Sequence, residues 1–400
     1  MEKRLGTGFA FLMAAVLLGG CVGQTETGGT GRTQATTTTE VAFPFYEPST
    51  TSSSVPEIST IASTETSLTT STSSTTSTIT PQKGAQIKPE TLSNCIGFVP
   101  GDWREIYEIR MIGAGWTRPH PGPFAWGWIE KSRGEYDFSA TDQWVKAAQD
   151  KDVALLATIW PYADWDQRIC HGDDCGVGET DIFYPRAKGG MVEGISRSRC
   201  KPCDMDGYKA FVIKMVERYD GDGVDDMTGL TQPIKYFEVG NEPALRSTEL
   251  TFFKGSPQEY ADILKATYEG VKSACPDCSV VQGGMEGIDP KFTTYWDQVY
   301  KAGGGGYFDI GNIHYINNGD LSNLNVAKYQ ELLKNNGLDK PVWVTEAEYS
   351  SDSQVDASVD GALKAGASKV FFTRFKVGDR GPPKPGVFSP VYLKQVRKCK

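Results

Sequence analysis

The feature that most constrains the fold is an alternation of short apolar runs with amphipathic segments, repeated eight times between Glu90 and Lys400. The runs are rich in β-branched and aromatic residues, and the segments between them have apolar residues at helical spacing. The predicted strands are 95–99, 115–118, 153–159, 234–239, 279–282, 308–314, 342–345 and 369–373. Eight strand–helix pairs in succession predict a parallel sheet with right-handed crossovers, closed as a (β/α)8 barrel over residues 89–400.

The predicted strands are nearly continuous apolar runs, as strands buried on both faces of a parallel sheet are. A doubly wound open sheet is the alternative, and a glycine-rich phosphate loop after the first strand would favour it. The four consecutive glycines from Gly303 to Gly306 instead follow a predicted helix and precede a strand. We interpret them as a helix exit and turn, which leaves the barrel as the preferred fold.

Residues 1–20 have the pattern of an export signal. Lys3 and Arg4 precede an apolar stretch from Phe9 to Leu18, which is short for a membrane span. The stretch runs into a Leu-Gly-Gly-Cys sequence ending at Cys21, which resembles the lipobox of prokaryotic lipoproteins. That resemblance implies lipidation of Cys21 and a tether on the extracellular face of the cell membrane. A cleaved signal with a stray cysteine and an uncleaved anchor are the alternatives.

Residues 21–88 have the composition of a disordered linker. Between Ser49 and Thr80, 23 of 32 residues are serine or threonine, which leaves too little apolar surface to offset the entropy of ordering. We expect a stalk that is open to O-glycosylation and has a reach of roughly 40–50 Å. All nine tryptophans lie between Trp103 and Trp343, so the folded core belongs to the rest of the chain.

Eight cysteines remain when Cys21 is set aside, an even number that suggests disulfides in an exported chain. Cys95 and Cys399 bracket the folded region, whose two ends a barrel brings together, so we predict that they form a bridge. The other six are expected to pair locally, as Cys170–Cys175, Cys200–Cys203 and Cys275–Cys278. The first two spacings also suit zinc, so zinc and free thiols are alternatives there.

In a (β/α)8 barrel, functional side chains lie at the C-terminal ends of the strands. The fourth predicted strand stops at Asn241 and Glu242, and the seventh stops at Glu346. Two facing carboxylates are the smallest set of catalytic side chains with which glycoside hydrolases usually cleave a glycosidic bond. Other strand ends supply polar and aromatic groups of the kind that bind sugar hydroxyls and rings, namely Arg118, His120, Trp160, Trp165, His314 and Tyr315.

These strand ends resemble glycoside hydrolase clan A. The Asn-Glu-Pro sequence around Glu242 and the Thr-Glu pair at Glu346 match the clan's acid/base and nucleophile motifs, and the His-Tyr pair at His314 matches its sixth-strand motif. Segments 128–130, 134–139 and 237–239 resemble the β-xylosidase/α-L-iduronidase family. The resemblance extends from the first strand to the eighth, which makes it more specific than the Asn-Glu pair alone.

The resemblance implies that Glu242 is the acid/base and Glu346 the nucleophile. Asn241 is then expected to bind a sugar 2-hydroxyl, and Arg118 to pair with Glu346 and hold it ionised. His314, Tyr315 and His120 are expected to position the substrate or nucleophile, and Trp160 and Trp165 to offer platforms for sugar rings. The alternatives are a structural turn amide for Asn241, a surface salt bridge for Arg118, satisfied core groups for His314 and Tyr315, and core packing for the two tryptophans. Glu348 is an alternative nucleophile on the same strand face, and Glu238 is expected to be a supporting carboxylate.

The sequence also departs from the family pattern. Gly240 stands where the family often has tryptophan, the eighth strand has no tryptophan in 371–375, and an insertion at 167–204 carries four cysteines. These differences leave the substrate open more than the chemistry. The acidic run 220–226 departs from a calcium-binding EF-hand loop, and we interpret it as a solvated turn.

The sequence therefore predicts a retaining glycoside hydrolase that cleaves β-linked oligo- or polysaccharide at the cell surface through a covalent glycosyl-enzyme. Its expected partners are a carbohydrate substrate and, through the lipid anchor, the membrane; no cofactor or metal is expected, and the protein is expected to be a monomer. A net charge of −9 and a pI of about 5.1 argue against nucleic acid. A catalytically idle carbohydrate-binding lipoprotein and a transglycosylase are the alternatives.

Overall fold

A computed structural model of the chain describes residues 93–178, 180–183, 195–247, 250–378 and 386–399. The predicted signal peptide, the lipidation site Cys21 and the linker at 21–88 lie outside these residues. Within the described ranges, no helix combines the length and the apolar character that crossing a bilayer requires.

The strands and helices follow one another in the predicted alternation. In chain order they are β1 (Ser93–Phe98), α1 (Ile106–Ile112), β2 (Ala114–Thr117), α2 (Trp126–Ile129), β3 (Glu130–Ser132), β4 (Glu135–Tyr136), α3 (Ser139–Gln149), β5 (Ala154–Ile159), α4 (Asp164–Cys170), α5 (Met205–Glu217), β6 (Tyr236–Val239), α6 (Pro257–Ala274), β7 (Ser279–Gln282), α7 (Pro290–Lys301), β8 (Gly311–Ile316), α8 (Val326–Asn335), β9 (Val342–Glu348), α9 (Val355–Lys364), β10 (Ala367–Phe372) and α10 (Pro390–Lys398).

Eight of the strands form one parallel sheet in the order β7-β6-β5-β2-β1-β10-β9-β8. Two parallel bridges, Val281 with Ile310 and Met285 with Ile313, join the outer strands and close the ring. The predicted (β/α)8 barrel is therefore confirmed, and each predicted strand overlaps an observed one. β3 and β4 form a separate antiparallel hairpin, which the sequence did not predict because two or three residues are too few to display a periodicity.

Two layers of side chains fill the barrel interior. The lower layer, which we call the apolar layer, consists of six buried residues: Trp116, Leu156, Val281, Ile310, Trp343 and Phe371. Gly97 of β1 makes room for it, since a side chain at this position would overlap the ring of Phe371. The apolar layer closes the barrel from below, so a substrate can reach the interior only from the opposite end.

The upper layer, which we call the polar layer, lies further along the barrel strands; four of its six members follow a residue of the apolar layer by two positions, and the other two are Glu238 of β6 and His314, two residues beyond Asn312. Its members are all fully buried: Arg118, Thr158, Glu238, Asn312, His314 and Thr345. Side chains two residues apart on a strand point to the same face, so β2, β5 and β9 each change from an apolar to a polar inward side chain along their length. This positions the polar groups at the C-terminal mouth of the barrel.

The four disulfides agree with the sequence prediction at two pairs and correct it at the other two. Cys95 pairs with Cys399, and Cys275 pairs with Cys278. The four cysteines of the insertion pair in a nested manner, as Cys170–Cys203 and Cys175–Cys200, rather than locally. Their sulfur atoms are engaged in disulfides, so the thiolates that zinc would need are not available.

The nested pairing follows from how the insertion returns to α4. The side chain of Gln167 accepts a hydrogen bond from the Cys200 backbone N–H at 2.9 Å and donates one to the Cys200 carbonyl at 2.7 Å. Asp166 accepts from the backbone N–H groups of Cys203 and Asp204 at 2.8 and 3.0 Å. The returning chain is thereby held alongside α4, which brings Cys203 opposite Cys170.

Candidate active site

Glu242 and Glu346 lie together at the mouth of the barrel. Glu242 follows β6 and Glu346 lies in β9; they are 4% and 3% exposed. One carboxylate oxygen of each and one ring nitrogen of His314 all lie within 4.8 Å of one another. The two strand-end glutamates that the sequence singled out therefore share one small, nearly closed site.

Arg118 donates hydrogen bonds to three side chains of this site. Its Nη1 donates to Glu346 Oε1 at 2.8 Å, its Nε to Glu238 Oε2 at 2.6 Å and its Nη2 to Asn241 Oδ1 at 2.6 Å. The ion pair with Glu346 is the contact that the sequence predicted, and those with Glu238 and Asn241 were not anticipated. Because its oxygen is occupied by Arg118, Asn241 has its amide N–H group to offer to a substrate.

Glu238 is the buried centre of the polar layer. Besides Arg118, the hydroxyl of Thr158 donates to its Oε2. Asn312 Nδ2 donates to Oε1 at 2.7 Å, and the Thr345 hydroxyl lies 3.1 Å from the same oxygen. A buried carboxylate with this many donors is held in place by its hydrogen bonds, which is the supporting role expected from the sequence.

His314 connects the acid/base candidate to the polar layer. Its Nδ1 lies 2.8 Å from Glu242 Oε1, and its Nε2 lies 3.0 Å from Thr345 Oγ1. Burial lowers the pKa of His314 to about 4, so the imidazole is neutral near pH 7. Gly284 supports this position, because a side chain there would overlap the ring.

Burial raises the pKa of both glutamates. The pKa of Glu242 rises to about 7; Arg118 opposes the rise and the charge of Glu238 adds to it. The pKa of Glu346 is also raised by burial; His314 and Arg118 lower it, and the charge of Glu242 adds to the rise. We expected Arg118 to bring the pKa of Glu346 below its ordinary value, but desolvation is the larger effect. The charge of Glu238 raises the pKa of Glu242, and the repulsion expected between Glu242 and Glu346 raises the pKa of Glu346.

Two carboxylates this close favour holding one proton between them, because both charges together repel. Glu346 receives a direct hydrogen bond from Arg118, which is always charged, whereas Glu242 faces a neutral imidazole. The contact with Arg118 favours the negative charge on Glu346 and leaves the proton to Glu242.

The backbone at Glu242 adopts an uncommon conformation. Its φ is +40°, and that of Gly240 is +63°. A residue other than glycine with a positive φ has a strained backbone, which persists only where neighbouring groups hold the backbone in place. Glu286 does so, since it accepts a hydrogen bond from the Ala244 backbone N–H and another from Trp296 Nε1 at 3.1 Å.

Glu286 is a site residue that the sequence analysis missed. It follows β7 by four residues, and it is 7% exposed. Burial and the charge of Glu242 raise its pKa to about 8. A carboxylate just after the fifth barrel strand is the same signal that identified Glu242 and Glu346, so it could have been found by reading every strand end.

Trp160 does not have the exposed ring face predicted for a sugar platform. Its side chain is fully buried, and its Nε1 donates to the Pro121 carbonyl at 2.6 Å. Its ring stacks on Phe252 with centroids 5.7 Å apart. His120 packs in the same cluster, with its ring 5.0 Å from that of Phe183. Residues distant in the sequence thus cover both side chains, which sequence alone could not reveal.

Trp165 and Tyr315 contact other side chains and backbone groups than Arg118. Trp165 is half-buried and donates through Nε1 to the Glu130 carbonyl at 2.8 Å, which directs it toward the β3–β4 hairpin. Tyr315 is 5% exposed, and its ring centroid is 6.0 Å from that of Tyr349. Burial raises its pKa, so it stays protonated at neutral pH.

Among the described residues, five groups of side chains have donor atoms close enough for a metal ion, and three of these contain cysteines that are engaged in disulfides. Two groups remain. One is the site itself, but the Arg118 guanidinium 2.8 Å from Glu346 already neutralises charge there, which disfavours a cation. The other comprises Glu217 at the end of α5 and Asp220 and Asp222 in the loop that follows. Asp222 is exposed, as expected for a solvated turn, but Asp220 is buried, and burial raises its pKa to about 6.

Comparison with protein-family models and with curated proteins finds no match for this chain. Among solved structures, a glucosidase from Croceicoccus marinus is similar, with a TM-score of 0.51 and 15% identity over 71% of this chain and 60% of that one. Xylanase 10B from Thermotoga petrophila RKU-1 has a TM-score of 0.45 and 14% identity, covering 72% and 84% of the two chains. An endo-1,4-beta-mannanase from Rhizomucor miehei has a TM-score of 0.45 and 15% identity, covering 70% and 85%. At 15% identity, the likeness to the glucosidase concerns the fold.

Proposed function

We propose that this protein is a retaining glycoside hydrolase acting on a β-linked oligo- or polysaccharide. The observation that carries the proposal is the pair of buried carboxylates, Glu242 and Glu346, whose nearest oxygens lie within 4.8 Å at the mouth of the barrel. Retaining enzymes have carboxyl groups roughly 5–5.5 Å apart, and inverting enzymes need roughly 6.5–9.5 Å to admit a water molecule. The short separation therefore supports attack by a carboxylate rather than by water.

The contacts of the two glutamates suggest which one is the nucleophile and which one is the acid/base. Glu346, ionised beside Arg118, attacks the anomeric carbon and forms a glycosyl-enzyme, while Glu242 protonates the departing glycosidic oxygen. Glu242, then ionised, takes a proton from a water molecule that hydrolyses the intermediate. Asn241, held through its oxygen by Arg118, offers its N–H to a sugar hydroxyl.

Substitution of the two glutamates tests the assignment. Glu346→Gln should abolish turnover on every substrate, because no nucleophile remains. Glu242→Gln should spare the first step on activated aryl glycosides, whose leaving groups need no proton. With Glu242→Ala, added azide should attack the intermediate and yield a β-glycosyl azide from a β-glycoside.

Glu348→Gln provides the matched control, since Glu348 is the same residue type in the same strand, two residues further, and is partly buried. Its activity should stay within a few-fold of that of the unmodified protein. Full activity of Glu346→Gln, or a first product of inverted anomeric configuration by NMR, would refute the assignment. Tight glycan binding without turnover would support the idle carbohydrate-binding alternative, and transfer of the glycosyl group to sugar in place of water would identify a transglycosylase.

We also propose that the enzyme is tethered to the extracellular face of the cell membrane by a lipid on Cys21. The support is the charged start at Lys3 and Arg4, the short apolar stretch and the lipobox-like sequence. The native protein should partition into detergent, and Cys21→Ser should release it into the aqueous phase. Equal partitioning of the two forms would rule out the lipid anchor and leave the catalytic proposal untouched.

A further inference from the structure

The hydrogen bonds of the polar layer have a direction that can be followed from Arg118. A guanidinium has donors only, so Glu238 Oε2 accepts a proton from Arg118. The Thr158 hydroxyl donates to the same oxygen. The other oxygen, Oε1, accepts from Asn312 at 2.7 Å, which requires the amide nitrogen of Asn312 on that side. The amide oxygen of Asn312 must then face Thr345, where it accepts from the Thr345 backbone N–H at 3.3 Å.

The Thr345 hydroxyl has three neighbours and a single proton. Asn312 Oδ1 lies at 2.9 Å, Glu238 Oε1 at 3.1 Å and His314 Nε2 at 3.0 Å. The two oxygens are acceptors with no proton of their own to offer in these contacts. If the hydroxyl donated to His314, its lone pairs would face both oxygens. The hydroxyl therefore donates to one of the oxygens and accepts from His314 Nε2–H.

We propose that Thr345 fixes His314 as the Nε2–H tautomer, so that the bare Nδ1 of His314 accepts a proton held on Glu242 Oε1 in the free enzyme. Thr345 and His314 are then positioning residues for the acid/base, and Asn312 and Glu238 set the direction of the chain. This inference rests on the proposed function of Glu242, but the tautomer itself does not depend on turnover.

The charged and titratable side chains that interact with Glu242 in the described part of the chain have partners of their own. Arg118 from the end of β2 and Glu238 from β6 form an ion pair. Glu346 from β9 is paired with Arg118, and Glu286 after β7 accepts from Ala244 and Trp296. His314 from β8 is the group in direct hydrogen-bond contact with Glu242.

The consequence is a protonated Glu242 before the substrate arrives. A ring with Nδ1–H would donate to the Glu242 carboxylate and stabilise its charge, whereas a bare Nδ1 stabilises the neutral acid. On binding, the glycosidic oxygen competes with Nδ1 for the same proton. After the transfer, the ring meets a carboxylate with no proton between them, which favours Glu242 taking a proton back from water in the second step.

The tautomer can be measured directly in the unmodified protein. The chain has three histidines, so ¹⁵N-histidine labelling gives few signals, and His314→Gln assigns those of His314. The spectrum is best taken near pH 5.5, between the pKa of His314 at about 4 and that of Glu242 at about 7. We expect Nε2 to carry the proton and Nδ1 to have the shift of an unprotonated nitrogen.

Thr345→Val and Thr345→Ser form the matched pair for the functional effect. Valine keeps the shape but gives Nε2 no acceptor, so the Nδ1–H tautomer becomes accessible and favours the Glu242 carboxylate. The alkaline limb of the kcat/KM profile should then move to lower pH by on the order of one unit. Turnover of substrates with poor leaving groups should fall by on the order of 10-fold, with activated aryl glycosides little affected. Serine, which keeps the hydroxyl, should show neither change.

A protonated Nδ1 in the unmodified protein would overturn the proposal, whether or not any variant folds. So would an unshifted alkaline limb in Thr345→Val, or the same shift in valine and serine variants. Failure of the proposed function would look different: Glu346→Gln would stay active while the His314 tautomer was still readable by NMR.

Discussion

The two layers of the barrel interior lie next to each other and share several strands, yet they are stabilised in different ways. The apolar layer consists of rings and aliphatic chains that contact one another without a required direction. In the polar layer, the side chains are held by directional hydrogen bonds to particular partners. Arg118, for example, donates to Glu238, Glu346 and Asn241. The lower layer therefore tolerates changes in side-chain shape, whereas the upper layer requires a particular hydrogen-bond partner for each polar atom.

The difference also explains why the polar layer is effective. The apolar layer excludes water from beneath, and every member of the polar layer is fully buried. Charges and hydrogen bonds act more strongly in such surroundings, but an unpaired group also costs more. Substitutions should therefore have larger consequences in the polar layer than chemically similar ones in the apolar layer.

The largest effect is expected from Arg118→Met, which leaves Glu238 and Glu346 buried without their cation. Breaking a buried ion pair from one side costs about 3–5 kcal/mol in the free energy of unfolding. Chemical denaturation would measure it. Lys146→Met is the control, because Lys146 pairs with Asp150 on the surface, at 3.4 Å, and such pairs contribute about 1 kcal/mol or less. Equal losses in the two variants would contradict the view of the polar layer as a closed network.

A sharper comparison uses two adjacent inward positions of β5. Leu156→Met in the apolar layer conserves volume and should cost less than about 1.5 kcal/mol. Thr158→Val in the polar layer is similar in shape but removes a donor to Glu238, and should cost about 1–3 kcal/mol. Denaturation midpoints of both variants under one condition give the ranking. A larger loss in Leu156→Met would show that packing, not pairing, governs this part of the barrel.

The sequence was sufficient for the barrel and for the two strand-end glutamates. Runs of β-branched residues that stop at Glu242 and Glu346 have a local signal, and a barrel brings strand ends together. The polar layer had no such signal. Thr158, Asn312 and Thr345 lie inside the predicted strands, where they look like ordinary strand residues until their partners across the sheet are known.

Which residues meet depends on the stagger between strands. β8 and β9 shift register between Ile313 and His314, after which His314 is aligned with Glu346. Such an irregularity is set by packing on both sides of the sheet and leaves no pattern in the sequence. The nested disulfides of the insertion and the covered ring of Trp160 have the same origin, since each depends on where a distant segment returns.

The smallest effect concerns Lys369, a cation at the edge of the apolar layer. Its Nζ lies 4.0 Å from the Trp116 ring centroid and donates to the Asn94 carbonyl at 2.7 Å. Burial lowers its pKa to about 8. Above that pH the folded protein has lost a proton that the unfolded chain keeps up to roughly pH 10.4, so the contribution of this group to stability rises with pH in that window.

Lys369→Met removes this titration. The free energy of unfolding of the methionine variant should therefore exceed that of the unmodified protein most below pH 8. The difference between the two should shrink between pH 8 and 10. Free energies of unfolding of both proteins at several pH values measure this, and titrations common to the two cancel in the difference. A difference that stays constant would mean that the ring faces of Trp116 and Trp343 and the Asn94 carbonyl offset the desolvation of the ammonium in full. In that case the apolar layer accepts a charge at no cost, and the contrast between the two layers would be one of geometry rather than of polarity.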